Sequence, residues 1–300
     1  MSATVLPGSE RPATVKTVAS VLRAAHERLA AAGLATARQD AEALLGRALR
    51  TTRLALYTEG RAAVPAAASR AFEALVTRRV GHEPLQYLLG EVEFCGLALT
   101  VGPGVFIPRP ETEELVDRAA LRGPAGVATV VELCTGSGAI ACALAARRAA
   151  WAVWAVDAAT PALACARANV ERLGLAGRVR VLAGDLFAPL APHLPARGAD
   201  LVVANPPYIE TAALPSLPVE VREWEPRAAL DGGADGLAVV RRVLQEAPAW
   251  LGPGGWLLAE IGETHGPAVA GLVEADPRYA EVALSRDFRG RIRFVEARRR

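Results

Sequence analysis

From Thr129 to Ala259, short apolar runs alternate with helical patterns of ten or more residues, and this alternation limits the chain to few folds. Thr129-Val130-Val131-Glu132-Leu133, Trp151 to Val156, Val179-Arg180-Val181-Leu182, Leu201-Val202-Val203-Ala204 and Trp256-Leu257-Leu258-Ala259 read as strands. Helical patterns run from Gly138 to Arg148 and from Pro161 to Leu173. Strands that are apolar throughout need cover on both faces, and helices of this length supply both the cover and the crossover connection. The expectation is an α/β domain with a doubly wound, mainly parallel sheet of Rossmann-like type. Val282-Ala283-Leu284 with Arg291 to Val295 predicts an antiparallel hairpin closing one edge.

The chain before this domain has other periods. Val18, Val21, Leu22, Ala25 and Leu29 form one buried helical stripe, with Thr17 placed to cap it. Ala41, Leu44, Leu45, Ala48 and Leu49 form a second, Thr51 or Thr52 starts a short third, and Pro65 stands in the first turn before Ala68, Phe72, Leu75 and Val76. From Glu91, Val92 and Phe94, then Leu97, Leu99 and Val101, alternate with their neighbours around Gly96. The expected organisation is a disordered start at 1–14, a small helical bundle at 15–85, a β-hairpin linker at 86–108 and the α/β domain at 109–300.

In 300 residues, 52% hydrophobic content is ample for packed cores, and 34 basic against 32 acidic residues exclude a protein built to coat nucleic acid. The charge is unevenly placed. Residues 1–85 hold 12 basic and 7 acidic side chains, a surplus of +5, while residues 86–300 carry −3. A single lysine, Lys16, among the cations reflects GC-rich codon usage rather than a ligand. Cys95, Cys134, Cys142 and Cys165 make no CxxC pair and the four histidines are scattered, so no metal site is expected and the cysteines read as reduced, buried thiols. Neither a signal peptide nor a membrane-length apolar run is evident, which predicts a cytoplasmic protein.

Glu132-Leu133-Cys134-Thr135-Gly136-Ser137-Gly138 is a strand, glycine turn and helix start, and such sheets bind ligands just beyond their strands' carboxyl ends. Asp157 lies 19 residues after Gly138, at the end of the second strand, where a carboxylate can accept both hydroxyls of a ribose. An adenosine-containing cofactor follows. Gly136-x-Gly138-x-x-Ala141 also satisfies a dinucleotide pattern, so the loop alone leaves NAD and S-adenosylmethionine open. Glu132 favours S-adenosylmethionine, because a carboxylate suits a ligand ammonium and not a pyrophosphate. Asp185, after the third strand, stands where adenine should lie and can accept from its amine.

Asn205-Pro206-Pro207-Tyr208 follows the fourth strand and therefore enters the same crevice. Two prolines make a stiff segment that offers carbonyls without N–H groups. Asn205 with the Pro206 carbonyl can accept both hydrogens of a planar NH2 group, and Tyr208 can stack on its plane. An amide or aryl amine nitrogen is a poor nucleophile, so orientation must supply much of the catalysis. Asn205, Pro206 and Tyr208 are the catalytic candidates, with Pro207 completing the substrate-binding segment.

With these residues in place the chain resembles the release factor glutamine methyltransferase family, also called PrmC or HemK. The resemblance covers roughly Pro84 to Phe294 and rests on Pro84-Leu85-Gln86-Tyr87, Ile107-Pro108-Arg109-Pro110-Glu111-Thr112-Glu113, Thr135-Gly136-Ser137-Gly138, Asn205-Pro206-Pro207-Tyr208-Ile209, Glu225-Pro226-Arg227-Ala228-Ala229-Leu230 and Glu260-Ile261-Gly262. It implies N5-methylation of the glutamine in the Gly-Gly-Gln loop of peptide chain release factors, with S-adenosylmethionine as donor. It also implies a helical N-terminal domain joined by a β-hairpin. By matching position, Cys134, Thr135, Gly136, Ser137, Gly138, Asp157, Leu186 and Asn205 contact the cofactor, and Asn205 to Tyr208 the substrate glutamine. Cys134 replaces a common glycine, Glu132 a common aspartate, Leu186 a frequent aromatic and His265 a usual glutamine; the first three are expected to weaken cofactor affinity, and His265 reads as a surface histidine.

The competing reading is a nucleic-acid adenine or cytosine amino-methyltransferase, because the same four residues serve any planar NH2 group. A duplex enzyme must flip its base and needs a basic recognition region, which the −3 of residues 86–300 does not supply. No direct duplex DNA binding is expected. A noncatalytic cofactor-binding module leaves Asn205 to Tyr208 unexplained. The bundle, basic and without catalytic signals, is expected to dock the protein substrate, and the chain to act as a monomer.

Overall fold

The computed structural model describes residues 16–300, so the stretch read as disordered, residues 1–14, lies outside the described residues. Two compact units divide between Leu89 and Gly90, where the sequence reading placed the boundary at 85. The first unit holds α1 (Val18–Ala31), α2 (Ala37–Leu49), α3 (Arg53–Thr58), α4 (Ala66–Val80) and α5 (Leu85–Leu89). Thr17 and Ser20 cap the start of α1 reciprocally, each side chain accepting from the other's backbone N–H. Val18, Val21, Ala25 and Leu29 face a core shared with Leu44, Leu45, Phe72, Val76 and Leu88. Burial of Leu88 in that core is why α5, absent from the sequence reading, belongs to the bundle. Pro65 precedes α4 as its N-cap instead of entering the first turn.

In the second unit a two-stranded hairpin, β1 (Glu91–Phe94) and β2 (Leu97–Thr100), leads into α6 (Pro110–Arg122). There follow β3 (Ala128–Leu133), α7 (Ala139–Arg147), β4 (Trp151–Asp157), α8 (Thr160–Arg172), β5 (Val179–Ala183), β6 (Ala199–Ala204), α9 (Val219–Trp224), α10 (Ala238–Trp250), β7 (Leu251–Glu260), α11 (Gly266–Glu274), β8 (Tyr279–Arg286) and β9 (Ile292–Arg299). The seven-stranded sheet runs β5-β4-β3-β6-β7-β9-β8, with β9 antiparallel to both β7 and β8, as the expected mainly parallel sheet with an antiparallel edge requires.

Side-chain alternation along the strands builds two cores. Val130, Leu201 and Val203 pack on one face with Leu115 and Ala119 of α6 and Ala141 and Leu144 of α7. Val131, Leu133, Val202 and Ala204 pack on the other with Val240 and Leu244 of α10 and Val269 of α11. Every residue of β3 is buried, as a central strand covered on both faces must be.

Winding proceeds outward from β3 through β4 to β5 in one direction and through β6 to β7 in the other, so the topological switch lies between β3 and β6. The register makes their ends level. Leu133 stands beside Val156 of β4 and Ala204 of β6, and Ala204 stands beside Ala259 of β7. Consequently the next residues along the four strands, Cys134, Asp157, Asn205 and Glu260, stand side by side at the sheet's carboxyl edge.

Candidate active site

The glycine turn is braced from both flanks. Asp157 accepts the Gly136 N–H at 2.8 Å through one oxygen and the Ala159 N–H at 2.9 Å through the other. Glu132, 1% exposed, accepts the Thr135 hydroxyl and, at 3.0 Å, the Ala141 N–H in the first turn of α7. Burial pushes its carboxyl up to about 8, against the pull of those two hydrogen bonds. Cys134 adopts φ +57°, a left-handed value that a glycine would take more easily, and burial raises its thiol well above the ordinary range. Gly136 also takes φ +57°, and a Cβ built on it would meet nothing within 4 Å. Its backbone therefore borders open space in which a ligand can approach. Ser137 keeps a buried Oγ without a hydrogen-bond partner, a polar group that a ligand can satisfy.

Leu186 and Asp185 stand differently from one another. Leu186 takes φ +47° and is buried with Phe187 in the second core. Asp185 is 65% exposed in its side chain and forms a two-point ion pair with Arg242 of α10, at 2.9 and 3.2 Å. A ligand amine at Asp185 has to compete with, or share, that guanidinium.

Across the switch point, the Asn-Pro-Pro-Tyr segment is fixed by groups distant in sequence. Asn205 donates through Nδ2 to Thr112 Oγ1 at 3.3 Å, and Thr112 donates to Glu260 Oε2 at 2.7 Å. Tyr208 donates to Glu260 Oε1 at 2.9 Å, while Arg293 donates to the Tyr208 oxygen at 2.7 Å and covers the ring with its guanidinium, 4.9 Å from the centroid. Glu260 is 0% exposed, a single buried carboxyl reached directly by Tyr208 and through Thr112 by Asn205. Burial raises its titration, with Arg293, Thr112 and Tyr208 opposing the rise. Burial and the neighbouring carboxylate also lift the Tyr208 phenol, which stays protonated as the donor this geometry requires.

The segment after Tyr208 is clamped as well. Ile209 donates to the Leu230 carbonyl at 2.9 Å and accepts from Gly232 at 2.7 Å. A Cβ on Gly236 would lie 2.5 Å from the Tyr208 carbonyl and 2.6 Å from His265 Cε1, so only glycine lets these three pack together. His265 is correspondingly 7% exposed, which corrects the expectation of a surface histidine: its imidazole fills the space left by Gly236 and Gly262. Its Nδ1 has no hydrogen-bond partner, and burial lowers its pKa, which favours the neutral ring.

Upstream of α6, Glu225 accepts the Ile107 N–H at 3.2 Å and pairs with Arg109, whose guanidinium lies 4.8 Å from the Phe106 ring centroid. Thr112, Glu225, Glu260 and Arg109 all fall in blocks legible in the sequence, but without the roles the structure gives them. Arg293 was legible only as a strand residue.

The cysteine expectation holds only in part. All four thiols are free, but Cys95, Cys134 and Cys165 are half-buried and Cys142 alone is buried. Among the described residues no cluster of metal-ligating side chains occurs, and no helix is long and apolar enough to cross a membrane.

Residues 20–90 match the PrmC N-terminal domain family and residues 118–217 the methyltransferase small domain family. A release factor glutamine methyltransferase from Moorella thermoacetica is 46% identical over 290 residues, covering 95% of this chain and 99% of the relative. One from Geobacter sulfurreducens is 43% identical over 264 residues, covering 88% of this chain and 90% of the relative. Among solved structures, the hMettl16 catalytic domain has a TM-score of 0.54 at 17% identity, covering 75% of this chain and 81% of that one. That likeness is one of fold.

Proposed function

Because the chain belongs to the release factor glutamine methyltransferase family, we propose that it transfers a methyl group from S-adenosylmethionine to the side-chain amide nitrogen of the glutamine in the Gly-Gly-Gln loop of peptide chain release factors. One observation supports the reading: the register of β3, β6 and β7 sets the glycine turn, Asn205 and Glu260 on adjacent strand ends, as a cofactor site beside an NH2-holding site requires. S-adenosylmethionine, when bound, supplies a methyl group on a positively charged sulfur. Asp157 with the turn from Cys134 to Gly138 holds its nucleoside, with Glu132, Asp185 and Leu186 around it. Gly136 at φ +57° with open space before it fits such a ligand.

Asn205 Oδ1 and the Pro206 carbonyl accept the two hydrogens of the substrate amide and fix its nitrogen in line for attack. The delocalised nitrogen lone pair becomes available as these acceptors draw positive charge onto the hydrogens, an interaction stronger in the transition state than in the ground state. Tyr208 and Pro207 wall the amide. The work of the site is alignment, and the chain's own groups perform it without a covalent intermediate. The helical bundle docks the release factor through its basic surface, and the protein acts as a monomer in the cytoplasm.

Incubation with methyl-labelled S-adenosylmethionine tests the reading. Label is expected on a release factor, and absent from both DNA and a release factor whose loop glutamine is replaced. Label on DNA, or label that survives loss of the glutamine, would refute it.

A further inference from the structure

An amide side chain can present either its oxygen or its NH2 to a ligand, and a site that must accept two hydrogens works in only one of these orientations. The surroundings of Asn205 choose between them. Glu260, as a carboxylate, has only acceptors, and its Oε2 takes the Thr112 proton at 2.7 Å. With its single proton spent there, Thr112 can offer Asn205 only a lone pair. Asn205 must therefore turn its Nδ2 towards Thr112, where it lies at 3.3 Å, and leave Oδ1 for the substrate.

The opposite arm supports the same polarity. Tyr208 gives its proton to Glu260 Oε1 and receives one from Arg293, whose Nη2 also lies 3.5 Å from that carboxylate oxygen. Donors thus converge on Glu260 from two sides, and each of its two oxygens is engaged as an acceptor.

We infer that Thr112 and Glu260 form a polarity relay that locks the Asn205 amide with its oxygen towards the substrate, and so makes the site select a carboxamide over a carboxylate. A glutamine side chain offers two hydrogens to the Asn205 Oδ1 and the Pro206 carbonyl; a glutamate offers none and meets acceptors only. Discrimination then comes from unpaired and repelling groups facing the wrong ligand. Thr112 and Glu260 are positioning residues, since they act through Asn205. The inference rests on the glutamine methyltransferase reading.

Thr112→Val keeps the shape and removes the hydroxyl, so Asn205 is free to flip; Thr112→Ser keeps the relay. The readouts are kcat on intact release factor and the binding of two loop peptides, one with Gly-Gly-Gln and one with Gly-Gly-Glu. Relative to the parent, Thr112→Val is expected to lose about tenfold or more in kcat and to narrow the preference for the glutamine peptide about fivefold or more. Thr112→Ser is expected to restore both. Calorimetric binding of S-adenosylmethionine identifies folded protein. Should Thr112→Val fail that check, Glu260→Gln carries the same test, because a carboxamide can donate to Thr112 and release its proton towards Asn205. Folded variants that keep the parent's peptide preference, or a serine variant that behaves like valine, overturn the relay. A parent that leaves the release factor unlabelled overturns the glutamine methyltransferase reading and the relay with it, whereas an active parent with indifferent variants overturns the relay alone.

Discussion

The two halves of the crevice are built on opposite plans. On the β3–β4 side, the glycine turn is shaped by its own backbone and by two carboxyls, Glu132 and Asp157, at the ends of two neighbouring strands. On the β6–β7 side, a rigid four-residue segment is oriented by side chains from three other elements: Thr112 of α6, Glu260 of β7 and Arg293 of β9. A nucleoside can be held by a local loop because backbone N–H groups, carbonyls and one carboxylate suffice for its hydroxyls. An amide nitrogen that must be aimed needs acceptors of fixed polarity, and fixed polarity needs a network.

Substitutions in the two halves should therefore fail in different ways. The largest expected effect is that of Asn205→Ala, which removes an aligning acceptor. It should lower kcat by roughly 10²–10³ with S-adenosylmethionine affinity nearly unchanged, as steady-state kinetics and calorimetry on one preparation will show. A parallel loss of cofactor affinity would break the division into halves. Asp157→Ala should do the reverse. Loss of a charged acceptor that also braces Gly136 should weaken cofactor binding by about ten- to a hundredfold, and unchanged affinity would remove Asp157 from the cofactor half.

Smaller effects sharpen the boundary. Charge reversal at Arg23, Arg61 and Arg70, all exposed in the bundle, should raise KM for intact release factor by about three- to tenfold at low salt. KM for a short loop peptide should stay level, because the peptide uses only the crevice; equal changes for both would argue against docking by the bundle.

The smallest effect concerns Glu132. Its carboxyl titrates at about 8 in the fold against an ordinary value of 4.5, so near pH 7 it keeps a proton that the unfolded chain has lost. The sign follows: this group costs the fold stability increasingly as pH rises from 4.5 towards 8. If Glu132 also faces the ammonium of S-adenosylmethionine, binding favours its ionised form. Calorimetry near pH 7 in buffers of different ionisation heat should then show up to about one proton released, and none in Glu132→Gln. Release that persists in the variant would leave Glu132 as a loop brace only.

Contiguity explains what was legible in the sequence. Strand and helix periods, the turn from Cys134 to Gly138, and Asn205 to Tyr208 are each carried by neighbouring residues, and all lie where such a sheet places ligands. Thr112, Glu260 and Arg293 stand at widely separated positions and meet only because β7 and β9 are paired, with Glu260 opposite Phe294, and α6 packs against that part of the sheet. No local pattern announces that. His265 misled for the same reason: nothing beside it in sequence shows that Gly236, nearly thirty residues earlier, leaves room for its ring. Helices α10 and α11 escaped the reading although their apolar stripes are regular; α10 carries Pro248 near its end and α11 opens on Gly266-Pro267, residues that punctuate loops as often as helices.

The most direct test of the central claim is to locate the methyl group. After reaction with S-adenosylmethionine, tandem mass spectrometry of the release factor should show one added methyl, on the side-chain nitrogen of the Gly-Gly-Gln glutamine, with the Asn205→Ala enzyme leaving that residue unmodified over the same time. A methyl on any other residue, or full modification by Asn205→Ala, would contradict the account.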